Sequence, residues 1–319
     1  MADLSIVIPV FNRKDELQCI LNDLQKYCPD KSQFSVVVVD DGSLADIGHC
    51  IKDCCTTYPV YLVKQKNMGP ASARNNGTIH SKSDWILFLD SDVIIRNNIT
   101  NDIIIHIKEA NSKNLVGLEL NIQPLSVDTL NDHVLNEAPT SPKSGGGYHT
   151  AGMVYSRKSL LRAGGFDESF NKAACEDVEL ACRMLKLGTI EFIPSIVVYH
   201  PSRIKTIESS WKKRSHWNHT KNLAVRHNIL AWPNKRTNFP RLRVALSALA
   251  TTPMTRFVRY FREIKRTKRI SYAWHILSVF IVETLSGWSM IPMILLGPVP
   301  NPLLIKHNYN FNSDPLSDS

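Results

Sequence analysis

The stretch Trp85-Ile86-Leu87-Phe88-Leu89-Asp90-Ser91-Asp92 predicts a buried β-strand that ends in two carboxylates. In an extended backbone, residues i and i+2 project to the same side, so Asp90 and Asp92 can converge on one ligand. Open α/β sheets bind their ligands at the carboxyl ends of the strands. Hard divalent cations such as Mg²⁺ and Mn²⁺ prefer oxygen ligands of this kind. Taken alone, the triplet is equally compatible with a solvated turn at a strand end.

Apolar runs and amphipathic stretches alternate through the N-terminal two thirds of the chain. Strand patterns fall at 4–10, 34–39, 59–63, 85–89, 115–120 and 190–199, and helical patterns at 14–27, from after Ser43 to about Tyr58, 71–80, 102–110, 159–163 and 176–187. This alternation predicts an α/β fold with a mostly parallel, Rossmann-like sheet flanked by helices. Residues 123–150 predict a long polar loop, in which Gly145-Gly146-Gly147 indicates either a mobile lid or a plain flexible connection.

The net charge of +9 is unevenly distributed along the 319 residues. Between Arg203 and Arg269 there are 18 Lys and Arg residues and two acidic residues, whereas the rest of the chain is acidic. A basic stretch of this size indicates contact with nucleic acid or with an anionic membrane surface. The apolar segment that follows, at about 271–299, favours lipid, so we expect a membrane surface and no nucleic acid as partner.

The apolar segment is long enough to cross a bilayer, but its composition favours another arrangement. Glu283 lies near its middle and Pro292 would kink a helix, so we expect an interfacial or re-entrant anchor in preference to a full span. A helical subdomain packed on the rest of the chain or in a dimer is an alternative, and the oligomeric state stays open. Because the N-terminus begins with strand-like residues, we expect no secretory signal and a location at the cytoplasmic face of a membrane.

Polar side chains follow four of the predicted strands at the point where each strand ends. These are Phe11-Asn12 after Pro9-Val10, Asp40-Asp41, Asp90-Ser91-Asp92 and His200. Because the carboxyl ends of parallel strands meet at one edge of a sheet, we expect these side chains to lie close together. Arg74 follows Asn67-Met68-Gly69-Pro70 near the start of a predicted helix, where an arginine can reach a phosphate. Clustered carboxylates that face an arginine and a histidine suit a nucleotide diphosphate with a metal ion.

Six motifs occur in order between about residues 4 and 200. They are Ser5-Ile-Val-Ile-Pro-Val-Phe-Asn12, Val39-Asp-Asp-Gly-Ser43, Asn67-Met-Gly-Pro-Ala-Ser-Ala-Arg-Asn75, Leu87-Phe-Leu-Asp-Ser-Asp92, Gly164-Gly-Phe-Asp-Glu168 and Glu176-Asp177. Together they resemble the family 2 inverting glycosyltransferases, which have the GT-A fold. The resemblance implies a GT-A catalytic domain at 1–204 and a basic helical extension, with the apolar membrane-associating segment, at 205–319.

The resemblance also implies roles by position in a nucleotide-sugar site. The donor would be held by Pro9, Phe11, Asn12, Asp41, Asn67, Gly69, Arg74, Asp90 and Ser91. Asp41 would accept the imino proton of the nucleobase, and Asp90 would lie near the ribose. Arg74 would face the diphosphate or brace the Asp90–Asp92 loop. Asp92 and His200 would hold Mn²⁺ or Mg²⁺, and the alternative for His200 is a partly buried histidine at a strand end.

Inverting transfer is a single in-line displacement, so it needs a base that deprotonates the acceptor hydroxyl opposite the leaving group. By resemblance, Asp177 would be this base, and Glu176 would orient it or contact the acceptor. The alternative is that both residues are acids that stabilise a helix N-terminus through the helix dipole. Gly164 and Gly165 permit a tight turn, which would present Gly165 and Phe166 to the acceptor.

The resemblance therefore predicts metal-dependent transfer of a sugar from a nucleotide-sugar donor to a hydroxyl of a glycan or lipid-linked acceptor. The chain lacks the Gln-x-x-Arg-Trp pattern of processive family members, so we expect transfer of a single sugar. UDP- and dTDP-sugars are favoured because Asp41 suits uracil or thymine, although guanine offers the same imino proton. Two alternatives stay open: a sugar nucleotidyltransferase, and a basic protein that binds nucleic acid or lipid.

Overall fold

A computed structural model describes residues 3–54, 56–110, 114–125, 136–137, 140–170, 174–204, 206–212, 214–227, 239–251, 257, 261 and 270–296. The described residues divide into two compact units. The first unit draws on Met1–Leu125 and Pro139–Pro201, and the second on Ser126–Ala138 and Ser202–Leu304. All of the site residues predicted from the sequence lie in the first unit.

A seven-stranded mixed sheet forms the centre of the first unit, in the order β3-β2-β1-β4-β7-β5-β8. Its strands are β1 (Leu4–Val10), β2 (Phe34–Asp40), β3 (Val60–Lys64), β4 (Trp85–Phe88), β5 (Leu115–Leu125), β7 (Met153–Ser156) and β8 (Thr189–Pro201), whereas β6 (Asn136–Glu137) belongs to the second unit. Strands β1 to β4 are parallel, β5 and β8 are parallel, and β7 is antiparallel to both β4 and β5. The predicted mostly parallel sheet is confirmed, with one antiparallel strand inside it.

Helices flank this sheet. They are α1 (Lys14–Tyr27), α2 (Ile47–Asp53), α3 (Pro70–His80), α4 (Ile99–Lys108), α5 (Arg157–Arg162) and α6 (Glu176–Met184). In β1, Ile6 and Ile8 belong to the core cluster that contains residues of α1, whereas Val7 belongs to the cluster that contains residues of α3. Successive side chains of a strand point to opposite faces, so a strand covered on both faces needs apolar residues at consecutive positions. This explains the unbroken apolar run of β1.

The sequence pattern does not predict β7, which lies between β4 and β5. Four residues are too few to display a period, and no turn signal separates β7 from the helix α5 that follows it directly. Among the other differences, α2 ends at Asp53 instead of near Tyr58, β5 continues to Leu125, and the short strand β6 lies within the predicted polar loop. Residues 126–135 and 138–139 of the predicted polar loop lie outside the described residues.

The second unit is largely helical. Its elements are α7 (Ile207–Lys212), α8 (Arg214–His227), α9 (Pro240–Leu246), a π-helical turn (Ser247–Thr251), α10 (Ile270–Ser289) and α11 (Ile291–Leu296), with β6 paired antiparallel to β9 (Arg203–Ile204). Part of α8, α9, the π-helical turn and α11 share a small apolar core, which contains Ala224, Val244, Ala245, Ala248 and Ile294. The predicted apolar helix near the C-terminus is confirmed, while residues 297–299 of the predicted segment lie outside the described residues.

Helix α10 buries polar and apolar side chains on one side and exposes large apolar side chains on the other. Glu283, Thr284 and Ser286 are buried. Ile276 and Val279 are buried with them, and the large apolar side chains that are exposed are Trp274, Ile281, Leu285 and Trp288. In the part of the chain that the structure describes, one stretch, Ala273–Leu296, is long and apolar enough to cross a membrane, with a mean hydropathy of 1.7. Length and composition alone do not distinguish a span from other apolar helices.

Candidate active site

A cavity of about 430 Å³ opens at the carboxyl ends of β1, β2 and β4. It is lined by Pro9, Val10, Phe11, Arg13, Asp41, Asn67, Gly69, Pro70, Ala73, Arg74, Asp90 and Ser91. The structure thus brings together eight of the nine residues that the resemblance assigns to the donor. The ninth, Asn12, ties the end of β1 to the loop after β2: its backbone N–H donates to Ser43 Oγ and its Oδ1 accepts from the Leu44 N–H, both at 2.9 Å.

Asp41 lines one side of the cavity and binds the neighbouring loop. Its Oδ1 accepts hydrogen bonds from Gln65 Nε2 and from the Met68 N–H, both at 2.8 Å, and its Oδ2 accepts from the Gly69 N–H at 3.0 Å. Burial raises the pKa of Asp41, and these hydrogen bonds oppose the rise. Gly42, at a φ of +85°, lets the neighbouring loop approach, because a Cβ there would lie 2.9 Å from the Asn67 nitrogen. The carboxylate therefore organises the loop before α3.

Asp90, Asp92 and His200 form a compact cluster beside the cavity. Each offers one ligand atom, and these atoms lie within 4.8 Å of one another. His200 Nε2 lies 3.3 Å from Asp92 Oδ1, and His200 Nδ1 lies 3.0 Å from the carbonyl oxygen of Pro201. Burial disfavours the imidazolium, but the hydrogen bond and charge of Asp92 outweigh burial and raise the pKa of His200. A His200 that carries its proton on Nδ1 alone would offer the Nε2 lone pair to a metal ion held by Asp90 and Asp92.

This cluster fits a divalent cation by the chemistry of its donors. Two carboxylate oxygens suit hard cations such as Mg²⁺ and Mn²⁺, and an imidazole nitrogen is a common ligand of first-row transition metals. Asp92 Oδ2 also accepts a hydrogen bond from Arg13 Nη1 at 2.7 Å. Sequence reasoning assigned no role to Arg13, because nothing in the order of residues indicates that its side chain reaches the end of β4.

Arg74 is a buried brace between two parts of the site. Its side chain is only 4% exposed. Nη2 donates to Asp90 Oδ1 at 2.9 Å, and Nη1 donates to Glu176 Oε1 at 3.0 Å. Of the two positions that the resemblance allowed, the contacts therefore fit the brace, and they extend it to the start of α6. The guanidinium also lies 5.7 Å from the centre of the Phe166 ring.

Glu176 and Asp177 begin α6 but differ in environment. Glu176 is buried, and its Oε2 accepts from the Ala174 N–H at 2.6 Å. Burial, followed by the nearby charge of Asp177, raises the pKa of Glu176. The Asp177 side chain is 16% exposed, and its Oδ2 lies 3.4 Å from His149 Nδ1. Glu176 is thus placed to orient the start of the helix, while Asp177 keeps access to solvent.

His149 is a site residue that the sequence did not reveal. Burial disfavours its charged form, but the hydrogen bond and charge of Asp177 raise the pKa of His149. The residue follows the triple-glycine run, which is anchored by a buried carboxylate, Glu119. Glu119 accepts backbone hydrogen bonds from Gly146 at 2.6 Å, Gly147 at 2.8 Å and Tyr148 at 3.0 Å. The triple-glycine run, which was expected to form a lid or a flexible connection, is therefore held in place by Glu119, and this places His149 next to Asp177.

The turn at Gly164-Gly165 forms as expected, with φ of +83° and +64°, but Phe166 corrects the prediction for its side chain. Phe166 is fully buried, and its ring lies 5.3 Å from that of Phe88 in an edge-on arrangement. The ring is not presented to an acceptor, because an aromatic side chain gains more from burial in the core than from water contact.

Asn75 holds the backbone of this turn in place. Its Oδ1 accepts from the Phe166 N–H at 2.7 Å, and its Nδ2 donates to the Phe166 carbonyl oxygen at 2.8 Å.

Residues 5–117, which include β1 to β4 and the cavity, match the family model described as Glycosyl transferase family 2. The match spans about a third of the chain, and over this stretch the chain is similar to the family 2 glycosyltransferases. The family inferred from the six motifs is confirmed.

Relatives of this glycosyltransferase domain are longer proteins. Over 242 residues, the chain is 28% identical to the pre-mycofactocin glycosyltransferase of Mycobacterium tuberculosis, a match that covers 70% of this chain and 48% of the relative. It is 26% identical over 240 residues to the hyaluronan synthase of Pasteurella multocida, covering 62% of this chain and 24% of the synthase. The chain thus spans about half of the length of the first relative and less of the second.

Solved glycosyltransferase structures share the fold. The mannosyltransferase PcManGT from Pyrobaculum calidifontis, in complex with GDP-Man and Mn²⁺, superposes with a TM-score of 0.58 at 14% identity, covering 90% of this chain and 87% of that one. S. aureus TarS 1–349 in complex with UDP-GlcNAc superposes with a TM-score of 0.53 at 16% identity, covering 89% and 90% of the two chains. The predicted GT-A fold is confirmed.

Proposed function

We propose that the chain is a metal-dependent inverting glycosyltransferase that moves a single sugar from a nucleotide-sugar donor to an acceptor hydroxyl, with residues 1–204 as its catalytic domain. One observation carries the proposal. Arg74 joins Asp90, at the rim of the nucleotide-sized cavity, to Glu176, whose neighbour Asp177 is the candidate base. Arg74 thus links the side of the site where the diphosphate would leave to the side where the base would act. Such a fixed arrangement suits an in-line displacement.

The donor assignment rests on Asp41 and Phe11. A carboxylate offers about four acceptor positions, and the three hydrogen bonds that Asp41 accepts leave room for the imino N–H of a base. Phe11 is 44% exposed at the cavity, where it can stack on that base. UDP- and dTDP-sugars stay favoured, and a GDP-sugar is the alternative because guanine offers the same proton. The similar structures that hold GDP-Man and UDP-GlcNAc support a nucleotide sugar in general.

In the transfer, residues on one side of the site would stabilise the leaving group, and residues on the other side would activate the acceptor hydroxyl. A divalent cation held by Asp92 and His200 would stabilise the negative charge that develops on the leaving diphosphate. Asp177 would take the proton of the acceptor hydroxyl on a carboxylate oxygen. His149 would hold that carboxylate in position from one side, and Glu176, fixed by Arg74, would hold the helix that carries it. The Gly164–Gly165 turn would border the acceptor.

The donor and reaction class are tested by a hydrolysis and transfer screen of UDP-, dTDP- and GDP-sugars with Mn²⁺, with and without EDTA. We expect release of the nucleoside diphosphate from one nucleobase class, and only while the metal is present. Release of pyrophosphate from a nucleoside triphosphate and a sugar phosphate would instead identify a sugar nucleotidyltransferase. Strongly salt-dependent binding of oligonucleotides, without turnover of any sugar donor, would identify a nucleic-acid-binding protein.

We further propose that the second unit docks on an anionic membrane at its cytoplasmic face, and that the acceptor is a glycan or lipid-linked sugar. The outward residues of α10, Trp274, Ile281, Leu285 and Trp288, are spaced by seven, four and three positions and so share one helical face. Trp288 Nε1 donates to the Leu249 carbonyl oxygen at 3.1 Å, so this face adjoins the π-helical turn after α9. The buried Glu283 argues for a helix that lies in the interface, because a spanning helix would expose more of its circumference to lipid.

Vesicle binding tests the membrane proposal. The Ile281→Glu/Leu285→Glu double variant should bind vesicles of phosphatidylglycerol and phosphatidylcholine at least about tenfold more weakly than the wild type, because each apolar side chain contributes about 1.5–3 kcal/mol when buried. Co-sedimentation measures the partition. The matched control is Ile105→Glu, which changes an exposed isoleucine of α4 in the first unit and should bind as the wild type does. Equal binding by the double variant would rule out α10 as the docking face.

A further inference from the structure

Two arginines border the nucleotide cavity, and they differ in their freedom to move. Arg74 is held between two carboxylates with a side chain that is 4% exposed. Arg13, at the N-cap of α1, has a side chain that is 33% exposed, and its described ion pair runs through one nitrogen to Asp92 Oδ2. An arginine whose guanidinium is held through two nitrogens by two carboxylates cannot turn to a ligand, whereas an arginine held through one nitrogen can. Arg13 is therefore the cation at this cavity that is able to change partner.

The partner of Arg13 is the residue on which two cations would converge. Asp92 has a side chain that is 3% exposed, with Arg13 on Oδ2 and His200 on Oδ1. A divalent cation in the cluster of Asp90, Asp92 and His200 would share the Asp92 carboxylate with the Arg13 guanidinium. The two positive charges would repel each other in a site with little water to screen them. Arg13 and the metal ion thus compete for one carboxylate.

We infer that Arg13 pairs with Asp92 before the donor arrives and turns to the diphosphate of the donor when metal and donor bind together. This inference rests on the proposed function, since it assigns a residue to the diphosphate of the same site. The diphosphate brings the negative charge that both cations need, and a guanidinium matches phosphate oxygens in a bidentate geometry. Metal and donor would therefore each raise the affinity of the site for the other.

Binding measurements with Arg13→Met separate this role from a structural one, because two affinities should change in opposite directions. Mn²⁺ alone should bind about two- to fivefold more tightly, since a competing ion pair is removed. UDP and GDP, titrated in saturating Mn²⁺, should bind roughly ten- to hundredfold more weakly for whichever nucleotide the wild type binds, since a charged hydrogen bond to phosphate is lost. Both affinities of Arg13→Lys should lie between those of the wild type and of Arg13→Met, because lysine keeps the positive charge but cannot bind phosphate oxygens in a bidentate geometry.

The matched control is Lys14→Met, which removes a positive charge one residue further along the chain and should leave both affinities at the wild-type values. Free Mn²⁺ is measured by electron paramagnetic resonance and nucleotide binding by calorimetry. If Arg13→Met binds the nucleotide as the wild type does, or weakens Mn²⁺ and nucleotide together, the inference is overturned. A wild-type chain that binds neither UDP nor GDP in Mn²⁺ would instead overturn the proposed function itself, and with it the assignment of Arg13.

Discussion

Asp177→Asn is expected to lower the rate of sugar transfer by about 10²- to 10⁴-fold, the usual contribution of a general base, and to leave the affinity for the donor unchanged. Asparagine keeps the size of aspartate and can still accept from the Val178 N–H, as Asp177 Oδ1 does at 2.8 Å, but its amide cannot take a proton. Donor affinity should hold because Asp177 does not line the nucleotide cavity. The turnover number and the dissociation constant of the nucleoside diphosphate are measured on the same preparation.

The matched control for this prediction is Asp102→Asn, which makes the same change in the first turn of α4. It should transfer at the wild-type rate, so that any loss in Asp177→Asn is specific to that carboxylate. Glu176 is less suited as a test, because removing its charge also removes a partner of Arg74. A rate for Asp177→Asn within a small factor of the wild type would show that the base lies elsewhere.

The nucleotide side of the site could be predicted from the sequence because topology alone brings its residues together. Asp41 and Asp90 follow strands that the apolar pattern identifies, and parallel strands end at one edge of a sheet. His200 lies near the end of β8, which is parallel to β5. Strand β5 runs in the same direction as β4, because β7 is antiparallel to both. The position of His200 at the same edge of the sheet as Asp90 therefore also follows from strand direction. No side-chain contact had to be known for this inference.

The connections between these residues could not be predicted, because they depend on which way side chains point across long separations. Arg13 meets Asp92 across 79 residues, and Asn75 meets Phe166 across 91. Period and propensity describe neighbours along the chain and contain no information on such pairs. His149 is the clearest case, since it belongs to a segment with no periodic pattern and reaches Asp177 only because Glu119 anchors the loop before it.

Phe166 and the triple-glycine run show where local reading of a motif goes wrong. Burial of an aromatic ring contributes about 1.5–3 kcal/mol, enough to turn Phe166 into the core directly after the tight glycine turn. Glycine raises the conformational freedom of a free loop, but hydrogen bonds to a charged acceptor contribute about 1.5–3 kcal/mol each and oppose that freedom. The acceptor, Glu119, lies 27 residues before Gly146, so the anchoring is invisible in the loop itself.

Asp92→Ala is expected to remove metal-dependent turnover, with a loss of about 10²- to 10³-fold or more at a Mn²⁺ concentration that saturates the wild type. The substitution takes away one of the two carboxylates in the cluster and leaves Asp90 and His200 as an incomplete set of ligands. It also leaves the Arg13 guanidinium without its carboxylate partner. Two effects therefore add: weaker metal binding, and repulsion of the metal by the Arg13 guanidinium, which stays charged.

Initial rates as a function of Mn²⁺ concentration, together with direct Mn²⁺ binding, separate the metal defect from a folding defect. Asp92→Asn, which keeps a neutral oxygen, should bind Mn²⁺ more weakly than the wild type and recover part of its rate in excess metal. The control is Asp84→Ala, which removes a carboxylate just before the opposite end of β4 and should leave the metal dependence unchanged. If Asp92→Ala showed the wild-type dependence on Mn²⁺, Asp92 would not be a metal ligand, and the metal site would have to lie outside the cluster.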